Sequence, residues 1–256
     1  MSKSIGLKQL SQKVYDSIQN LPHLFRVSIG DIDQAWDAII YGASGNGKTN
    51  FTVMLLKALI QATDCKAEYI SYEEGHGKTI QKTMIERHNM LEEVGNKLVI
   101  TEQLNFTELL KRMNRKQSAK IWVIDSLQAS GFNYTQCKQL KETFVMSRKK
   151  KIIIYISWCE GKEPQGAAAK AVKYYANIKM RVQDLVMFPT SRYGGNAPFI
   201  IYAPDAKNKW GTKAFAKIVK QIPAENKKHN HENIDPVHAH SSSAVIGGLS
   251  ISAPAL

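Results

Sequence analysis

The chain has 256 residues, 43% of them hydrophobic, with 35 lysines and arginines against 22 aspartates and glutamates and a net charge of +13. This apolar share suits one large α/β domain or two small ones and excludes a chain disordered throughout, and no apolar run approaches the ~20 residues that cross a bilayer. We therefore expect a cytoplasmic protein without a membrane partner, whose positive charge favours polyanions such as nucleic acid.

Short apolar runs alternate with helical patterns through a core that we place at residues 21–222, after an N-terminal segment at 1–20. Six runs predict strands, at residues 38–41, 67–71, 97–101, 121–124, 152–157 and 185–188. Four stretches predict helices, at residues 50–62, 79–94, 106–113 and 136–149. This alternation predicts an α/β fold with a mainly parallel sheet and helices on both faces.

The end of the chain has a different pattern. Residues 199–202 and 214–222 predict a C-terminal β-hairpin, with a glycine-containing turn between them. Residues 223–256 are rich in Asn, His, Ser and small apolar residues, which predicts a flexible tail with an apolar end that could dock on a protein partner.

A glycine-rich loop is the sharpest motif of the sequence. It fits the pattern G-x-x-x-x-G-K-[ST], lies between a predicted strand and a predicted helix, and consists of Gly42, Ala43, Ser44, Gly45, Asn46, Gly47, Lys48 and Thr49, followed by Asn50. Backbone N–H groups of such a loop wrap phosphates, the lysine neutralises them, and the threonine hydroxyl ligates Mg²⁺. The loop predicts nucleotide binding.

Carboxylates follow two other predicted strands. Asp125 ends the apolar strand after residue 121, where P-loop proteins hold Mg²⁺, and the next residue is Ser126 rather than a water-activating glutamate. Glu73 and Glu74 close the strand at residues 67–71 and are the best alternative source of a base.

With these pieces in order, the sequence resembles the RecA-like ATPases, most closely the RadA/Sms, KaiC and DnaB branch. The resemblance rests on residues 41–50, on 69–74 followed by Gln81 and Arg87, and on Val123-Ile124-Asp125-Ser126-Leu127-Gln128. It implies a RecA-like P-loop NTPase fold, ATP and Mg²⁺ as ligands, the acid pair as catalytic base, and a homo-oligomeric ring or filament with ATP between subunits.

The resemblance implies two further catalytic features. Lys207-Asn208-Lys209-Trp210-Gly211 is similar to a segment whose cations reach the γ-phosphate of the adjacent subunit, so Lys207 and Lys209 are the candidate fingers, with Arg192 as the alternative. Relatives often carry a γ-phosphate sensor where the strand at residues 152–157 ends, and here that position is Ser157.

Two loops of the resembled proteins touch single-stranded DNA, and the matching segments are residues 129–138 and 159–177. Both segments combine lysines with aromatic residues, which suits phosphate tracking and base stacking. The candidates are Phe132, Tyr134, Lys162, Lys170, Lys173 and Tyr174. An alternative interpretation places Tyr174 on a helix packed against the sheet.

The leading hypothesis is an ATPase acting on single-stranded DNA in recombination, repair or replication. Such a protein would be similar to the small single-domain RecA-core recombinases of phages, a resemblance that makes phage origin one expectation. A DnaB-like helicase or helicase loader is one alternative. A KaiC-like nucleotide-driven switch or assembly ATPase without nucleic acid is the other. ATP hydrolysis with and without DNA would separate these hypotheses.

Overall fold

A computed structural model describes residues 4–223, so the predicted tail at 223–256 lies outside the described residues apart from Pro223. This part of the chain contains ten strands. They are β1 (Asp37–Tyr41), β2 (Ala67–Ser71), β3 (Leu98–Thr101), β4 (Ile121–Asp125), β5 (Ile152–Ser157), β6 (Cys159–Glu160), β7 (Glu163–Pro164), β8 (Ile178–Gln183), β9 (Val186–Ser191) and β10 (Phe199–Ile200).

The same residues form ten α-helices, and α4 and α8 continue into π-helical turns at Lys82–Arg87 and Lys141–Val145. The helices are α1 (Leu7–Ser11), α2 (His23–Ile29), α3 (Lys48–Thr63), α4 (Lys78–Gln81), α5 (Met90–Val94), α6 (Phe106–Asn114), α7 (Leu127–Ser130), α8 (Tyr134–Leu140), α9 (Ala167–Tyr175) and α10 (Ala203–Lys220). None of them, within residues 4–223, has both the length and the apolar composition of a bilayer-spanning helix.

Eight strands form one sheet in the order β10-β9-β8-β1-β5-β4-β2-β3. The six strands from β8 to β3 are parallel, while β9 is antiparallel to both β8 and β10. Tyr41 of β1 is level with Ser157 of β5, and Ser71 of β2 is level with Asp125 of β4. The carboxyl ends of the parallel strands therefore meet at one edge, where ligands bind in open α/β sheets.

Strand side chains alternate between two buried faces. Ile40 packs in one core cluster with Phe51 and Leu55 of α3, whereas its neighbour Ile39 packs in the other cluster with Leu140 of α8. Helices thus cover both faces, and the α/β prediction with a mainly parallel sheet is confirmed.

The predicted strands agree closely with the structure. Five of them coincide with β1 to β5 within one residue at each end, and the sixth corresponds to β9. Strand β8 was missed because buried positions alternate along it with Lys179, Arg181 and Gln183, so it lacks an apolar run. The predicted helix at residues 79–94 is instead divided by Asn89, which has a left-handed backbone with φ of 49°.

The C-terminal antiparallel hairpin is present, but β8 and β9 form it. The prediction of a hairpin from residues 199–202 and 214–222 is wrong for its second arm, since that arm belongs to α10. Phe215, Ile218 and Val219 recur at the three- to four-residue spacing of a helix face and pack with the buried Val186 and Ile200. Helix α10 thereby covers the hairpin end of the sheet.

Candidate functional site

The glycine-rich loop joins β1 to α3, as predicted, and close packing requires two of its glycines. A Cβ atom on Gly42 would lie 2.1 Å from the carbonyl oxygen of Val182, and one on Gly47 would lie 2.8 Å from Cδ2 of Leu185. Gly45 and Gly47 also have positive φ values of 74° and 98°. The loop therefore keeps its backbone bare at the start of α3, where N–H groups and the helix dipole attract anions.

The loop is fixed to the turn of the β8–β9 hairpin. The backbone N–H of Leu185 donates to the carbonyl oxygen of Asn46 over 3.1 Å. The carbonyl oxygen of Leu185 in turn accepts from the N–H of Ile201, just before α10, over 2.9 Å. Leu185 is therefore shared between the glycine-rich loop and the entry to α10.

Lys48 begins α3 and bends back over the loop. Its Nζ donates to the carbonyl oxygens of Gly42 and Ala43 over 2.9 and 3.0 Å. Burial lowers the pKa of Lys48, and the negative charge of Asp125 opposes that shift. Within residues 4–223 the hydrogen-bond partners of this ammonium are neutral carbonyls, so its charge is available to phosphate oxygens.

Asp125 lies at the end of β4 and faces the same cleft as Thr49. Burial raises the pKa of Asp125 from 3.8 to about 6, with a further increase from Glu73 and Glu74, although Tyr69 and Lys48 stabilise the ionised form. The Tyr69 hydroxyl donates to Oδ2 of Asp125. A carboxylate and a hydroxyl facing one cleft are the oxygen ligands that Mg²⁺ uses together with phosphates, so these residues fit the ion.

Glu73 and Glu74 follow β2, which is adjacent to β4 in the sheet, so both carboxylates reach the cleft beside Asp125. Burial and, secondarily, the charge of Glu73 raise the pKa of Glu74. Trp158, which follows β5, donates from its indole Nε1 to Oε2 of Glu73 over 2.9 Å. Trp158 was not among the site residues predicted from the sequence.

The predicted sensor Ser157 does not face the cleft. Ser157 is fully buried, its Oγ donates to the carbonyl oxygen of Trp158 over 2.8 Å, and it accepts from Nε2 of Gln128 over 2.8 Å. The sensor assignment is therefore corrected: in a strand, neighbouring side chains point to opposite sides, and the residue that reaches the cleft is Trp158.

These groups line one cleft of about 1260 Å³ at the carboxyl edge of the sheet. Beside the polar end, Leu185, Phe199 and Ile201 form an apolar wall next to the glycine-rich loop. Apolar walls combined with a few convergent polar groups are typical of small-molecule sites, and the volume accommodates a nucleoside triphosphate. The arrangement can therefore hold the nucleobase of a nucleotide against the apolar wall and its phosphates over the glycine-rich loop.

The candidate finger residues lie on α10 rather than in a hairpin turn. Lys209 lines the cleft of its own chain, with Nζ 4.0 Å from Oδ1 of Asp184, whereas Lys207 is exposed and is not part of the cleft lining. Arg192 follows β9, whose end pairs with the start of β8, so it lies at the opposite edge of the sheet.

The predicted nucleic-acid residues separate into two groups. Phe132 is 6% exposed and packs edge-on against Tyr72 and Phe106, so its assignment as a base-stacking residue is corrected. Lys173 is paired with Glu163 at 2.7 Å. Four candidates are exposed: Tyr134, Lys162, Lys170 and Tyr174.

Asp125→Asn is expected to stabilise the ligand-free protein at neutral pH. The carboxyl pKa is higher in the folded than in the unfolded state, so ionisation of Asp125 weakens folding as pH rises from about 4 to 6. In urea unfolding at pH 7.5, the free energy of unfolding of the variant should exceed that of the wild type by about 1 to 3 kcal/mol, and the difference should disappear at pH 4.

Asp37→Asn is the matched control, because Asp37 is buried but its carboxylate accepts from Lys141 over 2.7 and 3.0 Å. This variant should lose stability at pH 7.5, since it leaves the charge of Lys141 without its partner. Equal effects of the two variants would contradict the assigned environment of Asp125.

No protein-family model and no curated protein matches the sequence. Two solved structures resemble the chain: a KaiC-like protein from the hyperthermophilic archaeon Pyrococcus horikoshii and the flagellar accessory protein FlaH from Methanocaldococcus jannaschii. The first is 16% identical with a TM-score of 0.51, covering 70% of this chain and 88% of that protein. The second is 18% identical with a TM-score of 0.51, covering 73% of this chain and 94% of that protein. The chain thus has the predicted RecA-like P-loop NTPase fold.

Proposed function

We propose that this protein binds ATP with Mg²⁺ and hydrolyses it. The observation that carries the proposal is the convergence of Lys48, Asp125 and the Glu73–Glu74 pair, from three separate strand ends, on one cleft beside the glycine-rich loop. A half-buried lysine, an aspartate of raised pKa and two further carboxylates thus lie together at one edge of the sheet. Such groups are expected where phosphate chemistry occurs.

Each residue has a role in this proposal. The loop N–H groups and Lys48 bind and orient the phosphates, and Thr49 and Asp125 would hold Mg²⁺, which would supply further positive charge to the phosphates. One carboxylate of the acid pair accepts a proton from the attacking water as the water oxygen bonds to the γ-phosphorus. The bond between that phosphorus and the bridging oxygen breaks, and ADP and inorganic phosphate leave.

The finer proposal is that hydrolysis is coupled to single-stranded DNA. Lys170 and Tyr174 lie one turn apart on the same face of α9, and the Tyr174 ring is 87% exposed. A cation beside an exposed ring can contact a phosphate and stack on the adjacent base. Lys213, Lys217 and Lys220 are also exposed along one face of α10, so they add positive charge at a second surface.

Assembly completes the proposal. We place ATP between copies of the chain in a ring or filament, where Lys207 or Arg192 of one copy would reach the phosphates held by the next. Lys209 lies on its own cleft and would act there or at the same junction. The tail could bind a further protein, and recombination or repair is the process in which such an ATPase would act.

The test is ATP hydrolysis and protein mass measured with and without single-stranded DNA over a salt series. If the proposal is right, DNA stimulates hydrolysis. The affinity of the protein for DNA should also fall steeply as the salt concentration rises, because binding releases the counterions condensed on the DNA. Hydrolysis that ignores DNA would favour the nucleotide-driven switch or assembly ATPase. Strand separation fuelled by ATP would favour the helicase alternative, and absence of nucleotide binding would refute the proposal.

Replacing Lys170 and Tyr174 together by alanine should weaken binding of single-stranded DNA about 10-fold to 100-fold, because a stacked base contributes about 1 to 3 kcal/mol. DNA-free hydrolysis should not change. The matched control replaces Lys13 and Tyr15, an exposed ring with a lysine 5.1 Å from its centre elsewhere in the chain. Equal losses in fluorescence anisotropy for both double variants would argue against a specific site on α9.

A further inference from the structure

We infer that Trp158 positions Glu73, and not Glu74, as the base of the hydrolytic step. This inference rests on the proposed ATPase function. Its starting point is the contact across the cleft: the indole N–H of Trp158 donates to Oε2 of Glu73 over 2.9 Å, and both side chains line the cleft with Lys48. The bond uses one carboxylate oxygen and leaves Oε1 to accept from a water molecule.

The backbone of Trp158 is held on both sides. Its N–H donates to Oε1 of Gln128 over 3.2 Å, and its carbonyl oxygen accepts from Ser157 Oγ over 2.8 Å and from the N–H of Gln165 over 3.0 Å. Nε2 of Gln128 donates to Ser157 Oγ and, over 2.7 Å, to the carbonyl oxygen of Gln165. Gln128, on α7 just after Asp125, therefore fixes the chain from which the indole projects.

The chemistry of the indole suits positioning rather than proton transfer. An indole N–H is a donor only, so it can orient a carboxylate but cannot take the proton of the water. Within the described residues, Glu74 has no hydrogen bond to its carboxylate, so only Glu73 of the acid pair is oriented by a neighbour. An oriented base is the arrangement found where nucleophiles are activated, because the lone pair must point at the reacting proton.

The contact with Glu73 also gives a reason why a large aromatic side chain, that of Trp158, is 38% exposed at the end of a buried strand. The buried Ser157 hydroxyl bonds to Gln128 and to the carbonyl oxygen of Trp158, on the side of the strand end away from the cleft. The indole of Trp158 lies on the cleft side and contacts Glu73. A phenylalanine would fill the same place but could not donate. Loss of the N–H alone is therefore separable from loss of the ring.

Trp158→Phe tests this role. The expected result is a kcat for ATP about 10-fold to 100-fold lower, with nucleotide affinity changed less than about two-fold, because the base is misoriented while the phosphate contacts remain. In a Glu73→Gln background the same substitution should have almost no further effect, whereas in a Glu74→Gln background it should keep its full effect. A full effect in the Glu73→Gln background, or an unchanged kcat in the single variant, overturns the inference.

A second readout needs no hydrolysis. The fluorescence of Trp158 is the difference between the spectra of the nucleotide-free protein and its Trp158→Phe variant. Glu73→Gln should change this difference spectrum, since it replaces the ionised partner of the indole, and Glu74→Gln should not. If this spectral response is seen but no ATP is hydrolysed, the Trp158–Glu73 contact exists in solution and the proposed ATPase function is refuted. Responses reversed between the two glutamates, or equal for both, refute the Trp158–Glu73 contact in solution.

Discussion

Lys48→Ala is expected to lower the affinity for ATP by about 100-fold or more and to remove hydrolysis. Among the described residues, two loop carbonyls are the hydrogen-bond partners of the Lys48 ammonium, so its charge is free to contact the phosphates, and a hydrogen bond between charged groups contributes about 1.5 to 3 kcal/mol. Isothermal titration with a nonhydrolysable ATP analogue measures the loss. The unfolding free energy should change little, because burial lowers the pKa of Lys48 and removing the side chain also removes that cost.

Lys57→Ala is the matched control for charge. Lys57 is on the same helix and lines the same cleft, but its Nζ is 3.5 Å from Oε1 of Glu93 and donates to the carbonyl oxygen of His88 over 3.1 Å. Its replacement should change ATP affinity less than about three-fold. Similar losses for Lys48 and Lys57 would indicate a general charge effect instead of a phosphate-binding loop.

Glu73→Gln is expected to bind ATP normally and to hydrolyse it about 100-fold to 10,000-fold more slowly, the range that a general base contributes. The amide keeps the size of the carboxylate and its ability to accept from the Trp158 indole, but it cannot take a proton. Single-turnover hydrolysis separates this step from product release.

Glu74→Gln provides the comparison within the acid pair. Burial and, secondarily, the charge of Glu73 raise the pKa of Glu74. Glu74→Gln leaves the oriented carboxylate of Glu73 in place, so it should have a smaller effect, about 10-fold. Full turnover in both variants would exclude the acid pair as the source of the base. A larger loss for Glu74 would transfer the role to that residue.

The sheet and the phosphate loop could be predicted because their signals are local. Strands β1 to β5 are short segments made mostly of apolar residues, and the glycine-rich loop has its lysine and threonine at fixed spacing between a strand and a helix. The alternation of strands with helices predicts a parallel sheet, but it does not specify which strands are neighbours in it. The pairing of Tyr41 with Arg181, which puts β8 beside β1, is a long-range contact that the sequence does not specify.

The errors have physical causes of the same kind. Phe132 looked available because it sits among polar residues, but Tyr72 and Phe106 enclose it from other parts of the chain. The choice of Ser157 over Trp158 was a displacement by one position, which in a strand exchanges the two faces. The spacing of Phe215, Ile218 and Val219 was a signal for α10 that the hairpin interpretation overlooked.

Leu185 connects the glycine-rich loop to the start of α10 through its backbone. One backbone hydrogen bond joins it to Asn46 in the glycine-rich loop, and another joins it to Ile201 at the entry to α10. A displacement of the first turn of α10 would thus reach the phosphate-binding backbone through these two hydrogen bonds. The later turns of α10, which carry Lys213, Lys217 and Lys220, follow a break in the helix at Gly211, where φ is 73° and ψ is 157°, so they are not rigidly coupled to the loop by this path.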